Sequence, residues 1–153
     1  MITFQQESVS SYYEDNHWQQ LFEMHYKEIA WKQDKIALKP DLEKYKILED
    51  KGILIMYSAR EDGVLIGYAV WMIMPHMHYS DTKIGSNDVL YVHPNKRGGR
   101  TGLNLIKYSE VELKKLGVHS ILLHIKKSFD WGNVAERIGY EAVDTIYQKW
   151  IGE

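Results

Sequence analysis

The sequence predicts a single mixed α/β domain that spans residues 1–153. A chain of 153 residues fits one domain with a core of its own. Apolar patterns with the periods of strands and of helices alternate along its whole length, in the order β-α-α-β-β-β-α-β-α-β. Its 44% hydrophobic and 26% charged residues are typical of a globular protein and not of a disordered one.

Capping and turn residues mark the elements of the first half of the chain. Asp15 or Asn16 suits the start of a first helix, while Pro40 and Gly52 suit the two ends of a second. The Asp62-Gly63 pair between two apolar runs is the clearest hairpin signal. The predicted elements are a strand at 2–4, helices at 17–31 and 40–52, and strands at 53–60 and 64–74.

The strongest helix prediction lies in the second half. Leu103, Ile106 and Leu113 mark one face of this helix, and Gly117 suits its end. The predicted elements here are a strand at 88–94, the helix at 101–117, a strand at 118–127, a short helix at 129–139 and a closing strand at 140–151.

Composition excludes several classes of protein. The absence of cysteine excludes a disulfide scaffold, thiolate metal sites and a cysteine nucleophile. The longest apolar run, Val64 to Met74, is too short to span a bilayer, so no membrane partner is expected. The N-terminus lacks the basic and apolar start of a signal peptide, which favours a cytoplasmic location. A net charge of −2 argues against a dedicated nucleic-acid-binding protein.

The charges are unevenly distributed along the chain. Residues 1–50 hold ten acidic residues against six lysines, whereas residues 94–127 hold eight basic residues against two acidic ones. One region therefore favours a cationic ligand and the other an anionic ligand, unless both are only solvated helix faces.

A glycine-rich turn connects the strand at 88–94 to the best helix. Gly98 and Gly99 allow successive backbone N–H groups to point at one spot, and the start of the helix adds partial positive charge there. Arg97 and Arg100 add charged donors, so the turn suits a phosphate or pyrophosphate. Neither of the two common phosphate-binding loops, GxxxxGK[ST] and GxGxxG, occurs in the chain.

This stretch resembles the signature of the GNAT superfamily of N-acetyltransferases, V-x-P followed by [RQ]-x-x-G-x-[GA] at the start of a helix. Val92, Pro94, Arg97 and Gly102 match it in register, while Arg100 replaces the middle glycine. The element order, the hairpin and a late ERIGY segment extend the resemblance over nearly the whole chain. The RGGR form of the loop is also similar to that of GNAT-like proteins of tailed phages, which implies a host cytoplasm as the location.

The resemblance implies a GNAT-like sheet that is splayed between its fourth and fifth strands, with acetyl-CoA in the wedge. Backbone groups of the fourth strand then hold the pantetheine arm, and amides of the turn hold the pyrophosphate. The implied cofactor-binding residues are Leu90, Tyr91, Val92, Arg97, Gly98, Gly99, Arg100, Thr101, Gly102 and Leu103, together with Ser128, where the family usually has an asparagine.

The family also implies a base and an acid for the acetyl transfer. Asp88 lies where members often carry a glutamate, so it is the candidate base, although an aspartate there could instead cap the preceding turn. The tyrosine that often serves as the acid is replaced by Ala135. Tyr147 on the predicted last strand is a substitute, with core packing as its alternative role.

Candidate acceptor-binding residues lie in two other segments. His76, His78 and Tyr79 follow the strand at 64–74, in a loop that contributes to the acceptor site in this family, and Trp31 ends the predicted first helix. His78 is also a candidate proton shuttle. The H-x-H pair lacks a convincing third ligand, so no metal is predicted.

Two functions are consistent with these features. The first is an acetyl-CoA-dependent N-acetyltransferase that works by direct attack in a ternary complex, with a polyamine-like small molecule or a protein lysine or N-terminus as acceptor. The second is a GNAT-fold protein that binds acyl-CoA or a partner without turnover. Trp150 and Ile151 near the C-terminus also favour a strand-mediated homodimer.

Overall fold

The computed structural model describes all 153 residues, as a five-stranded sheet with helices on both faces. The strands lie in the order β1-β2-β3-β4-β5; the first four pair antiparallel and β5 is parallel to β4. The strands are β1 (Ile2–Glu7), β2 (Leu54–Glu61), β3 (Val64–Pro75), β4 (Lys83–Val92) and β5 (Ser120–Leu122). The helices are α1 (Ser11–Glu14), α2 (Asn16–Ile29), α3 (Leu42–Asp50), α4 (Thr101–Lys115) and α5 (Gly132–Arg137).

This architecture confirms the predicted α/β class and most of the element order. The central strand β3 is apolar on both faces because both are covered, and every residue from Leu65 to Trp71 is buried. One core cluster lies under α2 and α3 and contains Trp18, Phe22, Met56, Tyr68 and Val70. The other lies under α4 and contains Tyr57, Trp71, Leu105 and Leu113.

The predicted start of α2 is confirmed by its capping bond, whereas α3 begins at Leu42, two residues after the predicted start at Pro40. The Asp15 carboxylate accepts from the backbone N–H of His17 at 3.0 Å at the start of α2. The Asp41 carboxylate accepts from the backbone N–H of Lys44 at 3.0 Å at the start of α3. Both side chains satisfy N–H groups that have no partner within the helix.

The closing strand predicted at 140–151 is wrong. Residues 138–153 form no helix or strand, and the backbone of residues 141–153 makes no hydrogen bond. A strand needs a paired neighbour, and β5 is only three residues long. Core packing of Tyr147 is wrong for the same reason, because its side chain is 93% exposed.

None of the helices is both long enough and apolar enough to cross a bilayer.

A buried ion-pair network fastens β1 and the start of α2 to β2. The Arg60 guanidinium donates to the Glu7 carboxylate at 2.7 Å and to the Asp15 carboxylate at 2.9 Å, and the Ser58 hydroxyl donates to Glu7 at 2.6 Å. Burial by itself would raise the pKa of Glu7, but the hydrogen bonds from Arg60 and Ser58 outweigh it and lower that pKa. The Arg60 and Glu7 side chains are only 13% and 8% exposed, so neither charge can be hydrated if the other is removed.

We predict that Arg60→Met lowers the free energy of unfolding by about 3 kcal/mol at pH 7, because it leaves the Glu7 carboxylate buried without its partner. Urea titration measures this difference. It should shrink as the pH falls, since a carboxylate with a lowered folded pKa contributes its stability above the unfolded pKa and loses it on protonation.

The matched control is Lys46→Met, which removes an exposed cation from its pairs with Glu49 and Asp50. Exposed pairs contribute little, so we expect a much smaller loss than in Arg60→Met. Equal losses in the two variants would contradict a special role for the buried network.

Candidate active site

Strands β4 and β5 pair over a short distance and then separate. Their register contains three pairs: Ile84 with Ser120, Gly85 with Ile121, and Ser86 with Leu122. Beyond Ser86 the two strands share no further ladder. The predicted splay between the fourth and fifth strands therefore begins at Asn87.

The side chain of Asn87 connects the two strands at the point where they part. Its Nδ2 donates to the backbone carbonyl of His124 at 3.3 Å, and the His124 backbone N–H donates to its Oδ1 at 2.6 Å. The side chain thus forms two hydrogen bonds in place of a backbone ladder. Because Asn87 is buried, its polar atoms need these partners. The sequence predicts this strand only from Asp88 onward, so Asn87 falls outside the predicted elements, whereas it lies within β4.

A β-bulge places Asp88 at the wedge. Trp71 of β3 pairs with Asn87 and Val70 pairs with Val89, which leaves Asp88 as the extra residue. Bulges redirect a side chain and interrupt pairing, as this one does. The Asp88 carboxylate accepts no backbone hydrogen bond, so its alternative role as a turn cap is wrong.

Tyr45 of α3 holds the Asp88 carboxylate. Its hydroxyl donates to Asp88 Oδ2 at 2.8 Å. Burial and the neighbouring carboxylate raise the pKa of Tyr45 well above its ordinary value, so the hydroxyl stays protonated and remains a donor. No sequence pattern indicates a role for Tyr45 beyond its position in an amphipathic helix.

A cavity of about 820 Å³ opens at the wedge. We call its two parts the loop end, lined by residues from 87–134, and the helix end, lined by residues from 22–45. The loop end includes Leu90, Val92, Gly98, Gly99, Gly102, Leu103 and Lys126; the helix end includes Tyr26, Ile29, Trp31, Ile36, Leu38 and Tyr45. Asp88 and Tyr45 face the same space from a strand and a helix.

The glycine-rich turn exposes a run of free backbone donors. The first hydrogen bond of α4 runs from the Asn104 N–H to the Arg100 carbonyl at 2.8 Å, and no backbone N–H from Gly98 to Leu103 donates to another group of the chain. Gly98 has a φ of +85°, which a residue with a side chain rarely adopts. Arg100, exposed beside these amides, forms no ion pair. The turn can therefore bind an anion with several donors at once.

Arg97 does not extend its charge into this turn. Its guanidinium forms a bidentate ion pair with Glu28 of α2, and its Nε donates to the Val92 carbonyl at 2.9 Å. It also lies over the rings of Tyr91 and Phe129, at 5.0 and 4.7 Å. These hydrogen bonds lower the pKa of Glu28. The Arg97 side chain thus fastens the turn to α2, while its backbone belongs to the turn.

His25 provides a neutral imidazole in the cavity wall. Its Nδ1 lies 2.7 Å from the Tyr68 hydroxyl, and its ring stacks on Tyr91 with centroids 4.6 Å apart. Burial lowers the pKa of His25 to about 4, so the ring is uncharged at pH 7.

The structure brings together only part of the predicted site. The predicted residues in the cavity wall are Leu90, Tyr91, Val92, Arg97, Gly98, Gly99, Gly102, Leu103, Asp88 and Trp31. Arg100 and Thr101 lie at the start of α4. Ser128 is exposed in a short 3-10 turn outside the wall, and the exposed Tyr147 does not line it either.

His76, His78 and Tyr79 also lie outside the cavity. They occupy the tip of the β3–β4 hairpin, where His76 Nδ1 accepts from the His78 N–H at 3.1 Å. Because β4 begins at Lys83 and not at Asp88, roughly 16 Å of extended strand separates this tip from the Asp88 position. The structure contains no group of three or more His, Asp or Glu side chains arranged to bind a metal ion.

The sequence matches a known protein family, and the fold is similar to those of several solved structures. Residues 12–137 match the model of the acetyltransferase (GNAT) family. No curated protein is significantly similar in sequence. One similar solved structure is an aminoglycoside acetyltransferase from an uncultured soil metagenomic sample, in complex with sisomicin; it has 15% identity, covers 97% of this chain and 96% of its own, and has a TM-score of 0.73.

Two further structures are similar over almost their full length. A ribosomal-protein-alanine N-acetyltransferase from Brucella melitensis has 18% identity, coverage of 99% and 100%, and a TM-score of 0.73. A predicted acetyltransferase with acetyl-CoA from Clostridium acetobutylicum has 16% identity, coverage of 99% and 97%, and a TM-score of 0.69. At these identities the likeness concerns the fold, and the family match over most of the chain supplies the assignment: this protein belongs to the GNAT family of acetyltransferases.

Proposed function

We propose that this protein transfers the acetyl group of acetyl-CoA to a primary amine, by direct attack within a ternary complex. The observation that carries the proposal is the connection of two features through one cavity. A turn of free backbone N–H groups lies at its loop end, and a strand carboxylate, Asp88, lies at the wedge.

The loop end suits the phosphates and the pantetheine arm of CoA. The N–H groups from Gly98 to Leu103 are directed donors, the α4 dipole favours an anion, and Arg100 adds an unpaired cation. Beyond Asn87, β4 has no ladder partner on the β5 side, so backbone groups near Leu90 can bond an extended arm. The similar Clostridium acetobutylicum protein was solved with acetyl-CoA, which supports this choice of ligand.

Acetyl-CoA supplies a thioester that is activated toward amines. Asp88 accepts one proton from the acceptor's ammonium group, and the neutral nitrogen then attacks the acetyl carbon. The bond from that carbon to sulfur breaks, CoA leaves as the thiolate, and the second amine proton passes to the sulfur or to solvent. Tyr45 positions the carboxylate through its 2.8 Å hydrogen bond. The chain contains no cysteine to carry a covalent acetyl group, which favours direct transfer.

The acceptor is a primary amine on a small molecule or on a protein. The similar structures include an aminoglycoside acetyltransferase and a ribosomal-protein-alanine N-acetyltransferase, so the fold accommodates both kinds.

We predict that Arg100→Glu weakens the binding of CoA at least tenfold, because it replaces a cation beside the free amides with an anion. Isothermal titration calorimetry measures the Kd. Lys114→Glu makes the same charge change on the same helix, about 21 Å away at its other end, and should change the Kd less than twofold. An equal effect of both changes would contradict the assigned pyrophosphate site.

We predict that Asp88→Asn lowers kcat by about 10²- to 10³-fold through loss of the base, with the Kd for CoA unchanged. Tyr45→Phe should lower kcat less, by up to about tenfold, because the carboxylate remains. Thiol release from acetyl-CoA with a panel of amines measures both. Full turnover in Asp88→Asn would rule out Asp88 as the base, and tight CoA binding without product from any amine would favour the non-catalytic alternative.

A further inference from the structure

The helix end of the cavity is built mainly from apolar side chains. Its wall contains Tyr26, Ile29, Trp31, Ile36, Leu38 and Tyr45, which come from α2, from α3 and from the segment between them. Ile36 and Leu38 are 37% and 38% exposed although they line this wall. Exposed apolar side chains that converge on one cavity indicate an apolar ligand, because covering them removes their surface from water.

The apolar wall is held open by hydrogen bonds behind it. The Tyr26 hydroxyl lies 2.5 Å from the Ile36 carbonyl and 3.2 Å from the Gln33 carbonyl, to which it can donate. The Gln33 side-chain amide in turn donates to the carbonyls of Lys27 and Ala30, both at 3.2 Å. These bonds fix the segment after α2, so the wall is preformed and does not depend on a ligand for its shape.

The acidic residues of the first fifty positions do not contribute charge to this cavity. Five of them are engaged in ion pairs: Glu7 and Asp15 with Arg60, Glu28 with Arg97, and Glu49 and Asp50 with Lys46. Asp41 caps α3. Asp88 is the only carboxylate in the cavity wall, which also contains the unpaired cations of Lys39 and Lys126, whereas the Arg97 cation is paired with Glu28.

The single carboxylate of Asp88 can pair with one ammonium group of the acceptor. A second ammonium group of a polyamine would lie in a wall that carries more cations than anions, and the hydroxyls of an aminoglycoside would face apolar side chains without hydrogen-bond partners. An amine on an aromatic or branched aliphatic body matches both the single carboxylate and the apolar wall.

Building on the proposed function, we infer that the acceptor is a primary amine with a single positive charge, attached to an aromatic or branched aliphatic body that packs against Trp31, Ile36 and Leu38. The amine nitrogen then lies at Asp88, and the body occupies the helix end.

The test measures thiol release from acetyl-CoA with phenethylamine, isoamylamine, spermidine and kanamycin as separate acceptors. We expect kcat/KM for phenethylamine or isoamylamine to exceed that for spermidine and kanamycin at least 100-fold. A preference for spermidine or kanamycin would overturn the inference and leave the proposed acetyltransferase function intact. If none of the four amines supports thiol release, the result would count against the proposed function.

Binding is measured separately, so that the inference can be judged without turnover. Calorimetry with CoA-saturated protein should detect phenethylamine and not spermidine; the reverse result would overturn the inference.

Two variants and a control test whether the helix end of the cavity binds the body of the acceptor. Trp31→Ala should raise KM for phenethylamine about tenfold, and Leu38→Glu should shift relative kcat/KM toward spermidine by at least tenfold. Ile47→Ala removes a 54% exposed apolar side chain of α3 that does not line the cavity, and should change neither. Equal effects in all three variants would contradict the assigned wall.

Discussion

The hydrogen bonds between the Asn87 side chain and the backbone of His124 determine the shape of the site. Strands β4 and β5 pair for three residues, and the chain after β5 then needs another partner for its backbone groups. Asn87 supplies one donor and one acceptor at that point. Because Asn87 is buried, its side-chain amide would cost free energy without hydrogen-bond partners, and the His124 backbone supplies both of them at the point where the strands separate. The cavity and the exposed edge of β4 follow from this separation.

Some charged residues of the chain form ion pairs within the fold and others remain available to a ligand, and composition alone cannot distinguish the two groups. Half of the ten acidic residues among the first fifty form ion pairs within the fold, since Arg60, Arg97 and Lys46 pair with five of these carboxylates. The basic surplus of residues 94–127 remains more available, because Arg100 and Lys126 have no ion-pair partner. Only the second surplus therefore points to a ligand.

The sequence predicts the loop end of the site far better than the helix end. The loop end is one continuous stretch, from the β4 strand through Gly98 and Gly99 into α4, so its spacing is visible in the chain. The pairing of Tyr45 with Asp88 spans 43 residues and that of Arg97 with Glu28 spans 69, and no local pattern encodes them. The failed strand at 140–151 shows the same limit, because its apolar alternation specifies a strand but cannot supply the neighbour that a strand requires. His76 and His78 lie farther from Asp88 than expected because β4 begins five residues earlier than predicted.

The central claim is that one cavity, opened by the separation of β4 and β5, receives the cofactor at the turn and presents its thioester to Asp88. A crystal structure of the protein with acetyl-CoA tests this most directly. We expect the pyrophosphate oxygens within hydrogen-bonding distance of the N–H groups between Gly98 and Leu103, and the acetyl group in the wedge beside Asp88. Either a cofactor bound away from the wedge or an acetyl group remote from the Asp88 carboxylate would contradict this mechanism.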